Sequence, residues 1–192
     1  YEEYARQASL AVGVEKGNER KVNMAKRVYE LATIGEPLKE APFQPPFRHL
    51  CNLLQIQDGS IEKCRSYYQD NLKNDRDRRR FEQRATCALN WLEKYAPEEF
   101  KFKINLQAPK QELSEKSSQF LTKIRADLLP DWEKIETDKD MHQRLYELIH
   151  EVEIEPQDAF KTLYMQLISQ EKGPKLAGFI RTIGKERFSE LI

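Results

Sequence analysis

The chain has 192 residues, enough for one helical domain or two small ones with a buried core. Apolar residues make up 39% and charged residues 33%, with a mean hydropathy of −0.79, which excludes a disordered chain and fits amphipathic helices with wet outer faces. Lys plus Arg and Asp plus Glu both number 32, so whole-chain charge lends nucleic-acid binding no support, and any such role must rest on local patches.

No apolar run approaches the ~18 residues of a membrane span and no signal-peptide pattern opens the chain, so a cytoplasmic protein with no membrane partner is expected. Tyr1 is no natural initiator, which points to a longer parent. Cys51, Cys64 and Cys87 are odd in number and contain no CxxC pair, so they read as small apolar side chains rather than disulfide or zinc partners.

Taken in order, the hydrophobic period is helical almost throughout. Val22, Ala25, Val28, Tyr29 and Ala32 share one face, and Gly35 and Pro37 are expected to end that helix. Pro37, Pro42, Pro45 and Pro46 make residues 36–46 an extended linker. A short helix with Phe47, Leu50, Leu53 and Leu54 follows. Asp58-Gly59-Ser60 is a turn, and Ser60 caps a helix with Ile61, Cys64, Tyr68 and Leu72.

Phe81, Ala85, Ala88, Leu92 and Tyr95 recur at i, i+4, i+7, i+11 and i+14, one stripe of a long helix that Pro97 ends. Phe100 to Leu106 alternates with period two, yet no second strand exists to pair with it, so it reads as a connector lying on a helical surface through Phe100, Phe102 and Ile104. Residues 1–106 are expected to form one helical subdomain and 107–192 a second, with Pro109 marking the junction.

In the second half, Leu113, Phe120, Leu121, Ile124 and Leu128 make one face, closed by Pro130. Met141, Leu145, Leu148, Ile149 and Val152 make another. Pro156 opens a helix whose Phe160, Leu163, Tyr164, Leu167 and Ile168 face inward. Gly173-Pro174 and Gly184 bound a helix with Leu176, Phe179 and Ile180. No repeat of 20–50 residues is present, against a solenoid. The fold class is all-α, an irregular bundle of two packed helical subdomains.

Catalytic signatures are missing: no Gly-rich phosphate loop, no GxSxG, no HExxH. His142 and His150 are eight residues apart, too far for an i, i+4 metal pair, and read as surface histidines. No catalytic and no metal-binding residue is expected. The carboxylates of Glu151 to Glu155 read as a solvated face. Tyr67, Tyr68, Trp91, Tyr146, Phe160 and Tyr164 read as core rather than as base-stacking platforms.

Two basic features remain. Arg76, Arg78, Arg79, Arg80 and Arg84 fall within nine residues at the start of the long helix. On the wheel Arg76, Arg79 and Arg80 point away from the apolar stripe, and Arg78 and Arg84 flank it. Arg grips phosphate bidentately, although Asp75, Asp77 and Glu82 interleave and could neutralise the patch. Cations at a helix N-terminus also oppose its dipole. In the second feature, Gly173-Pro174 opens a helix N-terminus among Lys172, Lys175 and Arg181, and Gly178 would let another backbone approach.

Several segments in order are similar to one known family: Arg27-Val-Tyr-Glu-Leu31, Pro46-Phe-Arg-His-Leu50 with Gln55, Trp91-Leu-Glu-Lys-Tyr-Ala-Pro-Glu98, Ala159 to Tyr164, Lys172 to Ile180, and Gly184-Lys-Glu-Arg187. Together they resemble the C-terminal half of a class I lysyl-tRNA synthetase, a helical region similar to the anticodon-binding domain of glutamyl-tRNA synthetases. The resemblance implies a region that holds tRNA(Lys) for an N-terminal catalytic domain of Rossmann type. That domain carries the HIGH and KMSKS signatures and uses ATP and Mg. Neither signature occurs here, so the chain alone is expected to be inactive and to bind no cofactor. Where the family suggests Arg after Gly173-Pro174, this chain has Lys175. A tRNA binder of zero net charge must gather its cations on one face. The competing reading is a helical protein-interaction module that never touches RNA.

Overall fold

The computed structural model describes residues 2–33, 40, 43–110 and 112–192. They form ten α-helices and no strand among the described residues, so the chain is all-α. Two compact units divide between Tyr95 and Ala96.

In the first unit α1 (Glu2–Ala11) and α2 (Glu19–Ala32) form a hairpin. Asn18 starts α2 by accepting the Lys21 N–H at 2.9 Å. Tyr29 meets Tyr4 with ring centroids 5.7 Å apart. The expected α2 face is only partly covered: Ala25 and Tyr29 are buried, but Val28 and Ala32 are exposed. The expected stops at Gly35 and Pro37 lie outside the described residues.

Three helices build the rest of the unit: α3 (Phe47–Ile56), α4 (Ile61–Tyr67) and α5 (Asp75–Lys94). Between α3 and α4 the chain reverses through Asp58 and Gly59, both at positive φ, which Gly59 adopts without steric cost. Ser60 caps α4 as expected, accepting the Lys63 N–H at 3.3 Å. That helix ends at Tyr67, and a 3-10 turn at Gln69–Asn71 carries the chain to buried Leu72. Phe81, Ala85, Ala88 and Leu92 bury the α5 stripe where α5 packs on α3 and α4, whose Leu50, Leu53, Leu54 and Cys64 are buried too. Each of the leucines and Phe81 contributes ~1.5–3 kcal/mol of burial. Tyr95 does not continue the stripe: it leaves helical geometry as the C-cap and is exposed.

The thiols divide by burial. Cys51 and Cys64 are buried, which pushes each thiol up to about 12, whereas Cys87, read from the sequence as one more small apolar side chain, is exposed on the outer side of α5. Only a thiolate attacks a disulfide reagent. One thiol per folded chain is therefore expected to react with DTNB at pH 8, and three after denaturation; three fast thiols in the native protein would contradict this packing.

The second unit opens at Ala96 with a 3-10 turn at Glu98–Phe100 that takes in the first residue of the period-two segment, and the rest of that segment belongs to this unit, whereas the junction was expected at 106/107. The reason is where its backbone bonds go. Of the last carbonyls of α8 (Pro156–Ile168), that of Met165 takes the Ser169 N–H at 3.2 Å, and Asn105 meets the end of the helix as well. Its backbone N–H donates to Leu167 O at 2.8 Å, and its Nδ2 to Gln166 O at 2.8 Å and Met165 O at 3.2 Å. Ser169 Oγ donates to Asn105 Oδ1 at 2.9 Å, Arg187 Nη2 to the Asn105 carbonyl, and Gln170 Nε2 to the Lys101 carbonyl at 3.0 Å. Phe102 packs edge-on against Phe179 at 5.2 Å. A helix end, not a second strand, completes this segment. Replacing Asn105 with Ala strips side-chain bonds from a part-buried site and is expected to lower the unfolding free energy by about 1–3 kcal/mol in urea titration; an unchanged midpoint would contradict this cap.

Ser114 caps α6 (Glu115–Lys123), and Ser117 Oγ meets Thr162 Oγ1 of α8 at 2.9 Å in the interior. The expected continuous face through Leu128 is met by a π turn at Ile124–Leu128, where Leu129 N–H reaches back to Ile124 O at 3.1 Å. It keeps both Ile124 and Leu128 buried. A Thr137/Asp140 capping box starts α7 (Asp138–Val152), and its hydrogen bonds hold the Asp140 carboxyl below the usual carboxylate range. α9 (Leu176–Ile183) and α10 (Lys185–Leu191) meet at Gly184, whose φ of 89 makes the corner.

Candidate nucleic-acid interface

The arginine cluster lies on the first turns of α5. Asn74 starts the helix with its Oδ1 on the Asp77 N–H at 2.9 Å and its Nδ2 on Asp77 Oδ2 at 2.9 Å. Whether the patch is basic depends on where the interleaved acids go. Asp77 is buried and held by Asn74. Asp75 takes Arg78 at 2.6 Å, one turn along. Glu82 takes Arg65 from α4 at 2.7 Å and not an arginine of α5. Arg76 and Arg79 remain exposed, with no ion pair among the described residues.

The other two arginines turn inward. Arg84 Nη1 donates to the Phe43 carbonyl at 3.0 Å and ties α5 to the chain entering α3. The wheel placed Arg80 outward, but it is half-buried, and its Nε is buried without a hydrogen-bond partner among the described residues. Among the described residues, then, the cations of this cluster that are both exposed and without an ion pair are Arg76 and Arg79. Beside Arg76 is a cavity of about 310 Å³ lined also by Asn71, Lys73 and Asn74, with Glu40 and Asp77 as its acids. The part of Asn71 and Lys73 was not evident in the sequence, because the 3-10 turn that brings them there has no periodic signature.

The second feature belongs to the other unit. Lys172 and Lys175 are exposed, and α9 begins at Leu176 rather than at Pro174. Arg181 is engaged: Nη1 donates to Asp138 Oδ1 at 2.6 Å and Nη2 to the Glu136 carbonyl at 2.6 Å. Gly178 does admit a close neighbour, but a side chain rather than a backbone. A Cβ there would stand 2.7 Å from Asp138 Oδ2. The corner is thus a helix-to-helix clamp carrying two exposed lysines with no ion pair among the described residues. Tyr164 fixes its position by donating its hydroxyl to the Pro174 carbonyl.

Besides Tyr95, two aromatics expected in the core are at the surface. Tyr67 is exposed beside Tyr68 and His49. Tyr146 is exposed on α7, 4.6 Å from the His142 ring and 5.6 Å from Phe160. His142 and Tyr146 are four residues apart, the spacing at which helical side chains meet, so this pair was open to sequence reasoning. Lys139, Gln143 and His150 are exposed on the same helix. Among the described residues no group of three or more His, Cys, Asp or Glu side chains is gathered to hold a metal, and no helix is long and apolar enough to cross a membrane.

No protein-family model matches the chain. Comparison with curated proteins finds relatives in bacteria and archaea. The lysine–tRNA ligase of Borreliella burgdorferi is 36% identical over 191 residues, covering 100% of this chain and 36% of the relative. That of Pyrococcus furiosus is 33% identical over 192 residues, 97% of this chain and 36% of the relative. Over its whole length the chain is homologous to lysine–tRNA ligases. It spans about 36% of the length of those ligases and matches their C-terminal part. The lysine–tRNA ligase of Methanosphaera stadtmanae is 31% identical, with 96% of this chain covered.

Proposed function

We propose that this chain is the tRNA-holding, anticodon-side region of a cytoplasmic lysine–tRNA ligase, and that it positions tRNA(Lys) for ATP-dependent aminoacylation carried out elsewhere in the longer protein. The whole-length match to ligases from both bacteria and archaea carries this reading. ATP and Mg would be held by the catalytic part, since this chain has neither of the class I signatures.

The chemistry of the surface fits the role. Phosphate neutralisation needs cations not already paired, and Arg76 and Arg79 meet that condition on α5, as do Lys172 and Lys175 at the corner before α9. Arg76 and Arg79 project from one rigid helix, which fixes a backbone better than a loop does. Unpaired bases are recognised by stacking and edge contacts, and Tyr146 with His142 offers an exposed aromatic face for one. None of these groups makes or breaks a bond, so the chain's contribution to rate is positioning.

The test is binding of the chain to tRNA(Lys) across a salt series. Log affinity should fall linearly with log salt, with a slope of about −2 or steeper if at least two phosphates are neutralised. A tRNA with a different anticodon should bind more weakly at every salt concentration. No binding at the lowest salt would refute the reading and leave a helical interaction module in its place.

A further inference from the structure

α2 has more apolar surface than its hairpin partner covers. Ala25 and Tyr29 turn toward α1 and are buried, with Val22 beside them half-buried. A second stripe runs next to the first: Met24, Val28 and Leu31, spaced i, i+4 and i+7, are 68%, 42% and 71% exposed. The polar residues Glu19, Asn23, Lys26 and Glu30 occupy the opposite side. Among the described residues α1 is the one helix that α2 packs against extensively. A helix of 14 residues is marginal in water without a packed face, and apolar patches of this kind mark interaction sites.

Three observations identify what covers the stripe. The chain accounts for about 36% of its relatives' length and matches their C-terminal part, so most of such a ligase precedes residue 1. That portion would be tethered immediately ahead of α1, whose first residue is Glu2, and so be held at high effective concentration beside the hairpin. The stripe itself carries no charge, while Arg20 and Arg27 border one side and Lys21 the other, all exposed. Arg27 is paired with Glu30 at 3.6 Å, so the rim is only weakly cationic through Arg20 and Lys21, and an uncharged apolar centre of this kind suits a protein surface and is a poor seat for a phosphate backbone.

We propose that Met24, Val28 and Leu31 dock onto the part of the ligase that precedes this chain, joining the tRNA-holding region to the rest of the enzyme through α2. The inference rests on the chain being one region of a longer ligase, and it does not depend on tRNA contact, so failure of tRNA binding would leave it standing.

The experiment uses the full-length protein and hydrogen–deuterium exchange. In M24S/V28S/L31S the amides of α2 should exchange at least tenfold faster than in the parent, with those of α7 unchanged. Equal α2 exchange in the two proteins would overturn the proposal. Because the variant could fail to fold, a photoreactive benzoylphenylalanine at position 28 in the otherwise unaltered full-length protein gives an independent reading. An intramolecular crosslink to residues ahead of Tyr1 supports it. A crosslink to a second copy, to tRNA, or to nothing overturns it.

Discussion

Reversing Arg76 and Arg79 together to Glu should weaken tRNA binding by about 100-fold at low salt. A hydrogen bond to a charged group contributes about 1.5–3 kcal/mol, and about 1.4 kcal/mol is tenfold in affinity. Losing two phosphate contacts should also flatten the slope of log affinity against log salt by about 2. The same double change at Arg78 and Arg84 should behave differently. Arg78 is already neutralised by Asp75 at 2.6 Å, and Arg84 holds the Phe43 carbonyl at 3.0 Å. R78E should move affinity little, and R84E should lower stability before it touches the salt slope. Equal effects at all four positions would mean that the patch acts through net charge alone, and that the pairing of its acids has no bearing on function.

That contrast also marks what was legible in the sequence. The helices were, because their apolar residues recur at helical spacing and Ser60 and Pro156 stand where helix starts need them. The partition of the arginines was not. A helical wheel orders side chains around one axis, whereas the neutralisation of Glu82 comes from Arg65 on α4 and the capture of Arg84 from a carbonyl 41 residues earlier. The same limit applies to Arg181, a candidate phosphate ligand by its place near Gly173-Pro174 but bound to Asp138 and Glu136, about 45 residues earlier in the chain. Tyr95 and Val28 fail in the opposite sense. Each fits an apolar period, yet Tyr95 falls on the residue where α5 unwinds and Val28 on the side of α2 that α1 does not reach. Periodicity states which residues could be covered, and the neighbour decides which are. The alternating segment 100–106 was read correctly as unpaired, but its partner, the C-terminus of α8, lies some 60 residues away and has no sequence signature.

The first unit should depend on Phe81 more than on any of its charges. Its ring is fully buried where α5 crosses α3 and α4, and it meets Tyr68 edge-on at 5.6 Å. Truncation to Ala removes the ring and leaves a cavity that rigid helices fill only in part, which costs about 3–5 kcal/mol. Stability of a domain this size is itself only about 5–15 kcal/mol, so F81A should shift the urea midpoint strongly or leave the unit unfolded at 37 °C. F81L keeps most of the volume and should recover much of the loss. Arg79 is exposed two residues earlier on the far side of α5, and R79E should leave the midpoint within about 0.5 kcal/mol of the parent. The pair separates scaffold from surface. F81A should impair tRNA binding only in proportion to the fraction unfolded, and R79E only through affinity in a fully folded chain. A folded F81A protein that had lost tRNA binding would mean that the ring sets the position of Arg76 and Arg79, and that α5 is not a rigid presenter of them.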